Sequence, residues 1–246
     1  MTFELSKAKG VYAIATTPFK ENYEIDFNSV DKLADYYLDS GVTGVTILGV
    51  MGEAPKLNLE EQKSLINHYI KRLRDKVPVI VGVSNPGLDN LEALSKLSMD
   101  YGAKGVMVAG LSGLKNDDQI FSYIDTVVNR LDQIPICLQD YPPTTNVYFS
   151  ISLINKILKT FLQIEMFKHE DCPGHKKLSQ LLYTQDNVVK RKYSILVGNG
   201  GLYVPQELRR GADGMMTGFA FTNMLVKVYN LFSEKKIEQS EDLFDI

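Results

Sequence analysis

The sequence has few cysteines and no long hydrophobic run. Only two cysteines, Cys137 and Cys172, occur in 246 residues, so a disulfide framework is excluded and both are expected to be reduced thiols. No segment reaches the ~18 consecutive apolar residues of a membrane span, and the N-terminal MTFELSKAKG lacks the apolar core of a signal peptide. These absences predict a cytoplasmic protein with no membrane partner.

Clusters of basic charge are also absent. Lys and Arg total 27 against 30 Asp and Glu, which gives a formal net charge of −3, and the positive residues are spread along the chain. Because nucleic-acid-binding proteins usually carry a basic patch, we expect no nucleic-acid partner. A small metabolite is the expected ligand.

Short apolar runs alternate with amphipathic patterns of helical period along the chain, which is typical of βα units around a parallel sheet. The predicted strands are Val11–Thr16, Val42–Leu48, Pro78–Val83, Gly105–Ala109, Pro135–Gln139, Ile164–Phe167, Ser194–Val197 and Gly214–Thr217. The predicted helices lie near Asn28–Ser40, Leu59–Arg74, Leu91–Tyr101, Asp117–Leu131, Ile151–Thr160, Lys176–Thr184, Val204–Arg210 and Thr222–Phe232. Asp26 and Asn58 stand at N-cap positions, and Gly41 and Gly102 follow helices where a left-handed residue is favoured.

Eight such units without a linker predict an α/β fold, one closed (β/α)8 TIM barrel that spans residues 1–246 as a single domain. The alternative is an open α/β sheet. Its dinucleotide-binding form is not supported, because no G-x-G-x-x-G turn follows the first predicted strand. In a TIM barrel the site lies at the C-terminal ends of the strands, so the residues after each apolar run are the candidates.

Lys168 follows the sixth predicted strand directly. At a barrel mouth, partial burial frees a lysine amine to attack a carbonyl and form a Schiff base. Most lysines at strand ends are surface residues, so the spacing alone leaves both interpretations open. Tyr141, after the fifth predicted strand, is the nearest candidate for a proton shuttle, and packing under two prolines is its structural alternative.

Two glycine-containing turns are candidate binding loops. The GVMGE turn, Gly49 to Glu53, could direct backbone N–H groups at a substrate carboxylate, or it could be an ordinary βα turn. The GNGG loop, Gly198 to Gly201, follows the seventh predicted strand, where many barrels bind phosphate. Close backbone packing is the alternative there. A phosphosugar-binding barrel is therefore one hypothesis.

A cluster of His169, Glu170, Asp171 and His175 contains metal-ligating residue types. Its spacing matches no zinc motif such as H-E-x-x-H, so we expect no metal site. Glu170 or His169 is expected to orient other groups or to pair with the basic residues that follow.

Several motifs in order and spacing resemble the dihydrodipicolinate synthase and N-acetylneuraminate lyase family of class I aldolases. They are TPF at Thr17–Phe19, G-x-x-G-E at Gly49–Glu53, L-x-x-E-E at Leu57–Glu61, VPVIVGV at Val77–Val83, FKHE around Lys168 and RGADGMMTG at Arg210–Gly218. The resemblance implies a TIM-barrel lyase in which Lys168 forms an imine with a 2-oxo acid such as pyruvate. Aldol cleavage, condensation or dehydration would follow without a metal or organic cofactor, in a homodimer or homotetramer.

The strand ends and the resemblance together give the candidate site residues. The candidate catalytic residues are Lys168, to which the resemblance assigns the imine, with Tyr141 and Gln139. The candidate substrate-binding residues are Thr17, Gly49, Val50, Met51, Gly52, Glu53, Gly198, Asn199 and Met216.

The chain departs from the family pattern at several of these positions. Val50 and Met51 replace two hydroxyl residues that hold the substrate carboxylate and relay protons. The family's catalytic tyrosine falls on Gln139, although Tyr141 is two positions later and faces the same way on an extended strand. Thr144 or a neighbour replaces an arginine of the true synthase, which argues against aspartate semialdehyde as the second substrate.

The family's C-terminal helices are expected to be missing or truncated, because the sequence given ends soon after the eighth unit. The altered residues also keep open a second hypothesis, a catalytically impaired paralogue that binds 2-oxo acids without turnover.

Overall fold

A closed barrel of eight parallel strands forms the centre of the molecule in a computed structural model, which describes residues 3–245. The strands are β1 Gly10–Ile14, β2 Gly44–Ile47, β3 Val79–Gly82, β4 Gly105–Ala109, β5 Ile136–Asp140, β6 Ile164–His169, β7 Ser194–Val197 and β8 Gly214–Thr217. Each strand pairs with the next along the chain, and β8 pairs with β1. This order confirms the predicted TIM barrel and excludes the open sheet.

Helices connect the strands and cover the barrel. Over residues 3–245 the α-helices are α1 Phe27–Asp39, α2 Leu59–Leu73, α3 Leu88–Tyr101, α4 Asp117–Leu131, α5 Pro142–Thr145, α6 Ile151–Thr160, α7 His175–Thr184, α8 Val204–Arg210, α9 Thr222–Ser233 and α10 Ile237–Phe244. Shorter turns of helix lie at Leu5–Lys7, Ala54–Lys56, Gln185–Val189 and Asn199–Gly201. No helix within this part of the chain has the length and apolar character that a membrane crossing needs.

The local signals at helix ends were predicted correctly. Asp26 accepts hydrogen bonds from the first turn of α1, and Asn58 forms a reciprocal capping box with Glu61 at the start of α2. Gly41 and Gly102 adopt positive φ after α1 and α3.

The differences from the predicted elements are few. The predicted end of the sixth strand at Phe167 was wrong, because β6 continues to His169. The short helix α5 was not predicted. Nor was α10, which follows the eighth unit and packs against α8 and α9.

Two apolar layers result from the alternation of side chains along each strand. The outer layer lies between the barrel and its helices. The inner layer fills the barrel with Leu5, Ala8, Tyr12, Ile14, Ile80, Met107, Cys137, Met166, Leu196 and Met216. The barrel is therefore a packed core, with no channel along its axis.

Tyr12 is the bulkiest of these interior side chains, and Gly44 on the neighbouring strand makes room for it. Tyr12 is fully buried, and a Cβ added at Gly44 would lie 2.2 Å from its ring. The glycine is therefore required by the close approach of an aromatic ring.

We predict that Gly44→Ala lowers the free energy of unfolding by about 1–3 kcal/mol, because an overpacked core must displace the ring. Urea denaturation measures this as a lower midpoint. In a Tyr12→Leu background the added methyl group has space, so Gly44→Ala should lower the free energy of unfolding by less. An equal loss of stability in both backgrounds would contradict the packing explanation.

Candidate active site

Lys168 lies on β6 with its side chain inside the barrel. Met166, two residues earlier, belongs to the interior layer, and side chains two apart on a strand share a face. In register, Lys168 lies beside Gln139 of β5 and Leu196 of β7. Only 2% of Lys168 is exposed, so its amine is held within the C-terminal end of the barrel.

Cys137 lies in the interior layer, near Lys168. It is fully buried, and this burial raises the pKa of its thiol to about 12. The thiol therefore stays protonated near neutral pH, which makes it a poor nucleophile.

Glu170 is the acid in contact with the Lys168 amine. Nζ of Lys168 lies 2.9 Å from Oε2 of Glu170, and the side-chain amide of Gln139 donates to the same oxygen at 2.6 Å. The other oxygen, Oε1, accepts a hydrogen bond from the backbone N–H of Asn199 at 3.0 Å. Three donors hold a carboxylate that is only 6% exposed, and the buried charges of lysine and glutamate compensate each other.

The contact between Lys168 and Glu170 was not foreseen from the sequence. The available signal was their separation of two residues, which places both side chains on one face of an extended segment. The predicted strand ends at Phe167, so its alternation of side chains does not extend to Glu170.

Gly198 allows the close approach of the Glu170 carboxylate. A Cβ added at Gly198 would lie 2.3 Å from Oε1 of Glu170. The N–H of Gly198 donates to the carbonyl of His169, and the N–H of Gly201 donates to the carbonyl of Gly198. The GNGG loop thus uses three of its four amides within the protein, one of them on a carboxylate. This arrangement gives little support to the phosphate-binding alternative.

The GVMGE turn lies at the barrel mouth, where Val50 and Met51 are each 47% exposed. The N–H groups of Gly52 and Glu53 donate to the carbonyls of Gly49 and Val50. The backbone N–H groups of Gly49, Val50 and Met51 have no hydrogen-bond partner among the described residues.

The remaining candidates differ in their access to the cavity at Lys168. Tyr141 is half-buried and lines the cavity. Thr17 is buried, and its hydroxyl donates to the carbonyl of Gly52 at 2.7 Å, so it braces the GVMGE turn. Met216 is fully buried in the interior layer. Neither Thr17 nor Met216 is among the described residues that line the cavity.

The histidine and acids next to Lys168 in sequence separate in space. His169 faces the outer side of β6, where its Nε2 lies 3.0 Å from the carbonyl oxygen of Gly174. Lys177 Nζ lies 2.6 Å from Asp140 Oδ2 and 3.1 Å from Asp171 Oδ2. Among residues 3–245, no three His, Cys, Asp or Glu side chains form a group that could hold a metal ion.

Two neighbouring cavities open at the C-terminal end of the barrel. The first, of about 270 Å³, contains Lys168, Glu170 and Tyr141 in its wall. Lys168 and Glu170 are the only lysine, arginine, aspartate or glutamate among its described lining residues. The second cavity, of about 430 Å³, shares Val50 and Gln139 with the first. A buried amine, an acid beside it and an open cavity are what imine chemistry on a small carbonyl compound requires.

Comparisons with known proteins match the chain to one protein family. A model of the dihydrodipicolinate synthetase family matches residues 7–238. The chain is 42% identical to a dihydrodipicolinate synthase from Rhodopseudomonas palustris, whose crystal structure superposes with a TM-score of 0.95 over 98% of this chain and 80% of that one.

Two curated 4-hydroxy-tetrahydrodipicolinate synthases are matched over different lengths. The protein from Methanococcus aeolicus is 28% identical over 244 residues, which cover 96% of this chain and 79% of that protein. The protein from Kosmotoga olearia is 39% identical over 100 residues, and this match spans 41% of this chain and only 34% of the relative. Since the family model spans almost the whole sequence, the chain belongs to the dihydrodipicolinate synthetase family.

Proposed function

We propose that the protein is a class I aldolase-type lyase in which Lys168 forms a Schiff base with a 2-oxo acid such as pyruvate. The observation that carries this proposal is the Lys168 amine, which is buried, faces a cavity at the barrel mouth and lies 2.9 Å from a carboxylate oxygen of Glu170. A surface lysine with no chemical role would extend into solvent instead.

Glu170 is placed to manage the protons of imine formation. It accepts a proton from the Lys168 ammonium group, and the free amine attacks the C2 carbonyl of the 2-oxo acid. The attacking nitrogen passes one of its two protons to the C2 oxygen, and Glu170 returns the other proton to the same oxygen, which then leaves as water. The C2–N bond becomes a protonated imine that keeps one N–H. This cation withdraws electrons from C3, so a C3 proton can leave or the C3–C4 bond can break.

The same acid compensates for the missing hydroxyl relay. The side chains of Val50 and Met51 carry no proton donor, and the side-chain amide of Gln139 donates a hydrogen bond to Glu170. Proton transfer at C3 therefore falls to Glu170, with Tyr141 as a second group in the cavity wall. The free amides of the GVMGE turn provide hydrogen bonds for the substrate carboxylate.

A catalytically impaired paralogue is the second candidate function, and the apolar Val50 and Met51 at the mouth favour it. It would form the same imine but would not move the C3 proton. This makes proton exchange at C3 the measurement that separates the two candidates.

The expected result with pyruvate and borohydride is a covalent adduct on Lys168, because borohydride reduces the imine to a stable secondary amine. Intact-protein and peptide mass spectrometry identify the modified residue. Lys168→Ala should give no adduct. Lys177→Ala is the matched control, because Lys177 lies on the outer side of β6 beside Asp140. In this variant, Lys168 should be labelled as in the unmodified protein. An unlabelled Lys168 in the unmodified protein would exclude the proposal.

Replacing the acid should slow proton transfer while leaving a neutral side chain of similar shape. We expect Glu170→Gln to reduce the exchange of pyruvate C3 protons in D2O by about 10²–10⁴-fold, followed by NMR. Asp171→Asn removes the same charge one residue away, where the carboxylate contacts Lys177, and should change the rate little. No exchange in the unmodified protein, together with a pyruvate adduct, would support the paralogue.

We also propose the cytoplasmic location and the homodimer or homotetramer that the family resemblance implies. Multi-angle light scattering of the purified chain should give a mass of two or four subunits, and a monomer would contradict this.

A further inference from the structure

The second cavity at the barrel mouth adjoins the Lys168 cavity but differs from it in chemistry. Val50 and Gln139 line both cavities, and Gln139 contacts Glu170, which contacts Lys168. A substrate bound as an imine on Lys168 would therefore reach the second cavity with the part of the molecule that extends beyond C3.

The walls of the second cavity are mainly apolar. Leu48 and Met107 are almost fully buried, and Val50, Ala54 and Pro55 line the cavity with them. Its neutral polar lining residues are Gln139, Ser84 and Thr144. Gln139 already donates to Glu170, and the Ser84 hydroxyl accepts the N–H of Ala109 at 2.9 Å.

The charged groups around both cavities already have partners. In the second cavity, Glu53 and Lys56 form an ion pair with each other at 2.5 Å. In the first, Lys168 pairs with Glu170. No arginine is among the described residues that line either cavity. A carboxylate at the far end of a substrate would lose water there and would have to compete with Glu53 for the Lys56 amine.

We propose that the second cavity binds an uncharged, apolar substituent of the substrate, an inference that rests on the function proposed above. The substrate class is then a 2-oxo acid with an apolar tail beyond C3, and the corresponding partner in condensation is an apolar aldehyde. An anionic tail is disfavoured because it would meet Glu53 without a free positive charge, whereas an apolar tail buries surface against Leu48, Val50 and Met107.

Imine trapping with borohydride tests this tail preference without requiring turnover. The probes are pyruvate, 2-oxo-4-phenylbutanoate with an apolar tail and 2-oxoglutarate with an anionic tail. The measured quantity is the concentration that gives half-maximal labelling of Lys168. We expect the phenyl compound to label at a concentration roughly tenfold or more below that of 2-oxoglutarate.

A cation added to the cavity wall should reverse part of this preference. Thr144 is exposed at the mouth and lines the second cavity, so Thr144→Arg should narrow the ratio between the two probes by roughly fivefold or more. Tyr148→Arg places the same charge in the segment that follows α5, at a residue outside the described lining of both cavities. This variant should leave the ratio between the two labelling concentrations unchanged.

The outcomes separate this inference from the proposed function. If pyruvate labels Lys168 but 2-oxoglutarate labels as well as the phenyl compound or better, the tail preference is overturned and the imine chemistry stands. An equal change in Thr144→Arg and Tyr148→Arg would also overturn it, since the effect would not come from the cavity. If pyruvate itself gives no adduct, both proposals fail.

Discussion

The buried ion pair between Lys168 and Glu170 is the interaction on which the rest of the site depends. Both side chains are removed from water, and a single buried charge of either sign would carry a large desolvation penalty. Together they are electrically neutral, and Gln139 and Asn199 supply the remaining hydrogen bonds to the acid. The pair therefore needs groups from three consecutive strand ends, which only a correctly closed barrel brings together.

Small and apolar residues around the pair make its geometry possible. Gly198 leaves space for the Glu170 carboxylate, and the interior layer below contains Cys137, Met166 and Leu196. The side chains of this layer are apolar apart from the Tyr12 hydroxyl and the Cys137 thiol. The same layer separates the active end of the barrel from the opposite end, where Leu5 of the N-terminal turn packs into the interior. Stability and chemistry thus depend on the same alternation of side chains along the strands.

The departures from the family pattern make physical sense when considered as a group. Val50 and Met51 remove hydroxyl groups from the mouth, Gln139 replaces a tyrosine, and no arginine lines the two cavities within the described residues. The side chains of Val50 and Met51 at the mouth are apolar, while Glu170 contacts the lysine directly. Under the proposed function, proton transfer depends on this carboxylate and the second cavity makes apolar contacts with the substrate.

Periodicity and turn chemistry in the sequence were sufficient to predict the eight βα units, the caps at Asp26 and Asn58, and the position of Lys168 at the barrel mouth. These features follow from local rules, because strand alternation, helix capping and left-handed glycines involve residues close together in the chain. The tertiary structure decided the partner of Lys168 and the hydrogen bond from the Asn199 amide to Glu170. It also decided the bracing role of Thr17 and the burial of Met216. Each depends on which strands become neighbours when the barrel closes and on the space left between their side chains, and neither quantity is local in the sequence.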